Sequence, residues 1–255
     1  MNRSHAFGWG LLLALVGAWE AIARAGVIEP IFFPPVSVIF ATFARLCVSG
    51  VIPDNMLASL INMFAGYFLA AVVAVPFGVL LGFNRTMHNL FEPAIELLRP
   101  LPATAIIPLA ILLLGIGGVE KIFIIFFTCA RTMVVNAMYG AQGVDPRLVE
   151  TARSYGYSGF RLVRRVVFPA SLPQIMTGLR VSLAIAIVII VAAELLGSEK
   201  GIGHYTMLMQ RTYSTPEMYA GVLSLCILGY ILNRLFVAVE RRLMGWYAGL
   251  KNTMR

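Results

Sequence analysis

Apolar residues in this chain gather in long runs separated by short polar segments. A helix crossing the hydrocarbon core of a bilayer needs about 20 mostly apolar residues, because in lipid the backbone must satisfy its own hydrogen bonds. Six segments meet or approach that requirement: Phe7–Ala25, Ala58–Phe83, Ala103–Gly117, Val119–Gly140, Ile175–Gly197 and Met218–Val239. The pattern predicts an all-α integral membrane protein with six transmembrane helices. The third segment has only fifteen residues and covers about 22 Å. Either residues before Pro102 complete it, or it sits inside a bundle rather than against lipid. The run Gly115-Ile116-Gly117-Gly118 predicts a tight turn into the fourth span.

Two connectors carry structure of their own. After Pro34-Pro35, apolar residues recur at Val36, Ile39, Phe40, Phe43, Leu46 and Cys47, the spacing of one helical face. This predicts a short amphipathic helix on the outer surface, the alternative being a packed external loop. The glycine-rich segment from Gly201 to Pro216 is long for a simple connector and predicts a short external helix or a partly re-entrant segment.

Composition agrees with a membrane protein. The 255 residues are 59% hydrophobic and 13% charged, whereas a soluble domain carries about 25% charged residues. No polar stretch is long enough for a second soluble domain, so residues 1–255 read as one transmembrane domain. The run from Phe7 reads as a retained first span rather than a signal peptide, since no cleavage site and polar mature segment follow. The net charge of +8 fits loop arginines and not nucleic-acid binding, because no basic tract is interleaved with aromatics. With both termini inside, twelve basic residues fall on the inner side: Arg3, Arg85, Arg99, Arg147, Arg153, Arg161, Arg164, Arg165, Arg241, Arg242, Lys251 and Arg255. Five fall outside: Arg24, Arg45, Lys121, Lys200 and Arg211. The excess predicts cytoplasmic termini. The three cysteines, Cys47, Cys129 and Cys226, read as apolar packing residues, and no Cys/His cluster suggests a metal.

The cytoplasmic segment 145–173 between spans 4 and 5 is the most informative. Asp145-Pro146 is a helix start, an acidic cap followed by proline in the first turn. Leu148, Thr151, Ala152 and Tyr155 share a face, and Gly156 ends the helix. Ser158 is placed to cap a second helix carrying Arg161, Arg164 and Arg165, which Phe168-Pro169 stops. Two short helices with a tight bend suit docking into a groove on a soluble partner.

The residues Glu150, Thr151, Ala152, Gly156, Val166, Phe168 and Pro169 fall without a gap on the spacing of the EAA loop. The segment therefore resembles that of ABC importer permeases, with Thr151 for the first loop alanine and Phe168 for the leucine before proline. Further stretches, including Pro34-Pro35-Val36-Ser37, Arg99-Pro100-Leu101-Pro102, Gly178-Leu179-Arg180 and Ala192-Ala193-Glu194, are similar to the nitrate, sulfonate, taurine and bicarbonate branch. The resemblance implies a type I importer fold in the bacterial cytoplasmic (inner) membrane, with a coupling helix between spans 4 and 5. It implies a non-catalytic permease with no cofactor of its own, ATP-Mg being bound by two cytoplasmic ATPase subunits. A second permease copy, as a homodimer, and a periplasmic or extracellular solute-binding protein complete the assembly. Glu150, Thr151, Ala152, Tyr155, Gly156, Val166 and Pro169 would engage the ATPase.

Two ionisable residues lie within spans. Arg131 is mid-span, where a charge costs about 3 kcal/mol. It either attracts an anionic solute or makes a structural ion pair or dimer contact. Glu194, near the outer end of span 5, suits a gating or structural role. A pair between them would suit both charges. An intramembrane enzyme is disfavoured by the absence of an HExxH, a nucleophile elbow or paired aspartates. A stand-alone secondary transporter or channel is the alternative, disfavoured because no inverted repeat is evident.

Overall fold

The computed structural model describes residues 3–26, 28–29 and 31–245. Among them every regular element is helical: α1 (Arg3–Arg24), α2 (Val36–Val48), α3 (Val51–Phe83), α4 (Arg85–Leu98), α5 (Ala103–Leu114), α6 (Gly118–Gln142), α7 (Pro146–Ser154), α8 (Gly159–Leu162), a π turn (Val163–Val167), α9 (Phe168–Leu196), α10 (Ile202–Arg211) and α11 (Thr215–Leu243). Among the described residues four helical runs are long and apolar enough to cross a membrane: α3, α6, the continuous stretch Gly159–Leu196, and α11. The α4–α5 pair, bent by 93°, makes a fifth if counted as one broken span. The first expected span coincides with α1, whose 22 residues reach about 33 Å.

Three sequence expectations change in detail. The short third span is not straight: Pro100 and Pro102 separate α4 from α5, because proline lacks the amide hydrogen and biases its predecessor away from helix. Span 2 begins at Val51 rather than Ala58, giving a helix of 33 residues. Lys121, counted as an external charge, lies buried in α6 at 4% exposure. The side chain of Arg3, and Lys251 and Arg255, lie outside the described residues. The expected helices at Val36–Val48 and within 201–216 are present as α2 and α10.

The chain forms two compact units. The first comprises Met1–Ser59 and Glu199–Leu228. Its core brings Leu46, Ile52, Ile202, Tyr205 and Ala220 together. The first amides of α10 have no helical partner, so side chains of α3 accept from them: Gly201 N to Asn55 Oδ1 at 3.2 Å and Ile202 N to Ser59 Oγ at 3.0 Å. An exposed ion pair, Arg45 to Glu217 at 2.7 Å, joins α2 to α11.

The second unit comprises Leu60–Ser198 and Gly229–Arg255, and α6 is its axis. Along α3, Gly66, Ala70, Ala74, Gly78 and Gly82 recur every four residues and form a small-residue stripe. A Cβ added at Gly66, Gly78 or Gly82 would stand 2.7, 2.5 or 2.3 Å from the carbonyl oxygens of Ile122, Val134 and Met138. The backbones of α3 and α6 therefore touch, in parallel. Hydrophobicity drives no association between helices in lipid, so close backbone approach is what holds such a pair. On another side α6 packs antiparallel to α9. Cys129 and Ser182 exchange hydrogen bonds with each other's carbonyls at 3.4 Å, and Gly178 lies against Asn136. Outward residues such as Leu112, 80% exposed, and Val72, 71% exposed, are placed for lipid or protein cover.

Candidate functional site

The segment 145–173 folds from strong local signals. Asp145 accepts from the Arg147 amide at 2.9 Å, and Pro146 occupies the first turn of α7. Thr151 donates to the Arg147 carbonyl at 2.8 Å, so the hydroxyl that replaces an alanine is satisfied within the helix. The helix ends in a Schellman motif: Tyr157 N bonds Ala152 O at 3.1 Å and Gly156 N bonds Arg153 O at 2.9 Å. This requires Gly156 at φ +81°, a conformation that costs a side-chain-bearing residue about 1–2 kcal/mol.

The second half departs from expectation. Ser158 stands at the start of α8, but its side chain makes no capping bond. Phe168-Pro169 does not stop the helix. The Phe168 amide reaches back five residues to Val163 O, opening a π turn just where the Pro169 ring would crowd the carbonyl four residues before it. The chain therefore runs as one helical stretch from Gly159 to Leu196.

Burial divides this element into an anchor and a free face. Ala152, Leu162, Val163 and Val167 are buried, and Val166 and Pro169 are half-buried. Glu150, Thr151 and Gly156 are exposed, and Tyr155 is 81% and Phe160 74% exposed. Of the predicted face only Ala152 turns inward; Leu148, Thr151 and Tyr155 face out. Tyr155, Gly156, Tyr157, Arg161 and Arg165 frame a recess of about 360 Å³. Exposed aromatics beside arginines are the composition of protein-recognition surfaces.

The two intramembrane charges are not brought together. Arg131 Nη1 donates to Leu98 O at 2.5 Å and Leu101 O at 2.9 Å. Its guanidinium carbon lies 5.4 Å from the Phe127 ring centre. Glu194 is buried in α9. Since Cys129 pairs with Ser182, Arg131 stands nearly level with Ser182 and about 18 Å along α9 from Glu194.

Sequence reasoning missed a charged pair at the start of α6. Glu120 and Lys121 are 1% and 4% exposed. Lys121 Nζ donates to Ser198 Oγ at 2.8 Å and lies 3.8 Å from Glu120 Oε1. The signal available was two adjacent charges within three residues of a glycine turn.

Residues 74–245 match the family described as binding-protein-dependent transport system inner membrane component. The chain is 32% identical over 244 residues to a putative aliphatic sulfonates transport permease protein, SsuC, of Bacillus subtilis, covering 94% of this chain and 88% of that one. It is 28% identical over 252 residues to the taurine transport system permease protein TauC of Escherichia coli, covering 97% and 92%. Among solved structures it is similar to a chain of the inward-facing MetNI methionine ABC transporter, with a TM-score of 0.67 at 20% identity over 74% of this chain and 94% of that one.

Proposed function

As a member of the binding-protein-dependent transport system inner membrane component family, this chain is the permease component of an ABC importer, and we propose that segment 145–173 is the element through which a separate cytoplasmic ATPase drives it. The supporting observation is the coupling loop itself: a capped helix ended by Gly156, with Glu150, Thr151 and Tyr155 on a free face and Ala152 as anchor. Val166 and Pro169 continue that element into α9. In this reading two ATPase subunits engage two permease copies, a homodimer, and a solute-binding protein delivers cargo from the other side. Both termini face the cytoplasm. The permease hydrolyses nothing; ATP and magnesium belong to the partner.

The solute of this reading is a small organic anion. The named relatives are a putative aliphatic sulfonates transport permease and a taurine transport system permease, and Arg131 sets a permanent cation within a span. Arg131 and Glu194 are assigned to the translocation path, as separate stations rather than as a pair.

The test is ATP-dependent uptake in proteoliposomes with the neighbouring ATPase and binding protein, comparing the wild type with Gly156→Val. Uptake that needs the ATPase and falls with the intact chain still inserted upholds the reading. Transport by the permease alone, indifferent to Gly156, overturns it in favour of a secondary carrier.

A further inference from the structure

A cavity of about 280 Å³ lies between α3, α4 and α6, walled by Val73, Phe77, Phe91, Ile95, Phe127 and Val134. An apolar protein cavity of about 150 Å³ already takes benzene, so this one has room for a longer hydrocarbon body. Its walls are almost entirely carbon. The polar atoms near it belong to Arg99 and Arg131. Arg99 is engaged by Glu96 at 2.6 Å. Arg131 spends Nη1 on the Leu98 and Leu101 carbonyls, while its Nε is buried with no hydrogen-bond partner. Among the described residues no carboxylate pairs with it.

A buried donor on a permanent cation costs free energy when left unmade. Water is a poor remedy, because it needs several polar partners and the walls offer almost none. A neutral hydrocarbon would fill the space and leave the guanidinium without a counter-charge. A bare inorganic anion would supply that charge and forfeit the apolar walls. We propose that this cavity binds an anionic amphiphile, one aliphatic or aromatic tail packed against Phe77, Phe91 and Phe127 and its anionic group paired with the Arg131 guanidinium at the wall. The site shares Arg131 with the transport reading and to that extent rests on it, but its occupancy requires neither ATP nor a binding protein, so binding and uptake fail separately.

The test is equilibrium binding of radiolabelled decanesulfonate to the permease–ATPase complex in zwitterionic nanodiscs without nucleotide. The expected result is saturable binding, displaced at least about tenfold less well by decanol or methanesulfonate than by decanesulfonate itself. Ala94→Phe, which fills the chamber from α4 and leaves Arg131 in place, abolishes binding in the assembled complex. Ala130→Leu makes the same test from α6 should the first variant not assemble. No saturable binding, decanol competing as well as the sulfonate, or binding unchanged in the filled variants overturns the proposal. A parallel series in nanodiscs containing phosphatidylglycerol identifies the source. Suppression of decanesulfonate binding marks a membrane lipid as the natural occupant, and unchanged binding marks a soluble amphiphile; both support the site.

Discussion

The Arg131 guanidinium donates to the Leu98 carbonyl across 2.5 Å. Leu98 is the last residue of α4, and Pro100 and Pro102 follow it, so amides are scarce at this helix end, and the Leu98 carbonyl has only a long bond from Leu101 N at 3.3 Å. In water such carbonyls are hydrated; in a membrane they need a protein donor. A cation is also the favoured partner for the negative end of a helix dipole. An arginine mid-way along α6 thus has a structural task at the α4–α5 break, alongside any task toward a solute.

Arg131→Ala should therefore destabilise the purified complex, by about 3 kcal/mol for the loss of charge-assisted bonds to two carbonyls. Arg131→Lys should recover part of this, having a cation but not the planar fork. Thermal unfolding in detergent checks both. Stability unchanged in Arg131→Ala would show that the helix end is satisfied by other groups.

Gly78→Ala and Gly82→Ala should each weaken the α3–α6 contact. The new methyl would press 2.5 or 2.3 Å from a backbone carbonyl of α6, and overpacking of this kind costs about 1–3 kcal/mol. Gly229→Ala is the control, because its Cβ would meet nothing closer than 4.0 Å. Membrane yield and melting temperature should fall for the first two and hold for the third.

Gly156 has the opposite character. Nothing lies within 4 Å of a Cβ placed there, so the cost of substitution is conformational and local, arising from its φ of +81°. Gly156→Asn, tolerated in left-handed geometry, should retain much of the coupling, and Gly156→Val should lose it. The readout is solute-stimulated ATP hydrolysis, with membrane insertion unaffected in both.

Lys121→Met should be more harmful than the double replacement Glu120→Leu/Lys121→Met. Removing one partner of a buried pair strands the other and costs about 3–5 kcal/mol, whereas removing both can approach neutrality. Expression level and unfolding temperature of the three proteins decide it. A double variant worse than the single one would show that Glu120 serves a function beyond its lysine.

Local signals were the readable ones. Asp145-Pro146 and Gly156 mark the two ends of α7 because caps act over three or four residues, and α2 follows from the spacing of Ile39, Phe43 and Leu46. Signals that depend on distant chain were not. The proline rule halts a helix at Pro169, but a π turn absorbs the ring. Lys121 reads as an external charge and Glu120 does not stand out, because only tertiary packing buries them. The stripe from Gly66 to Gly82 is invisible to hydropathy, which scores small residues alike whether they touch lipid or a neighbouring backbone. Arg131 stands out from sequence as a costly charge, but its carbonyl partners are set by where α4 ends.

The uninterrupted stretch from Gly159 to Leu196 has a mechanical consequence. Its 38 residues extend about 57 Å along the helix, with α7 joined at one end through the Gly156 turn and the buried Glu194 near the other. A lever of that length turns a tilt of about 5° at its base into a swing of about 5 Å at its tip, as the per-residue rise dictates. A flexible joint at Pro169 would have dissipated such a stroke; the π turn keeps the lever in one piece.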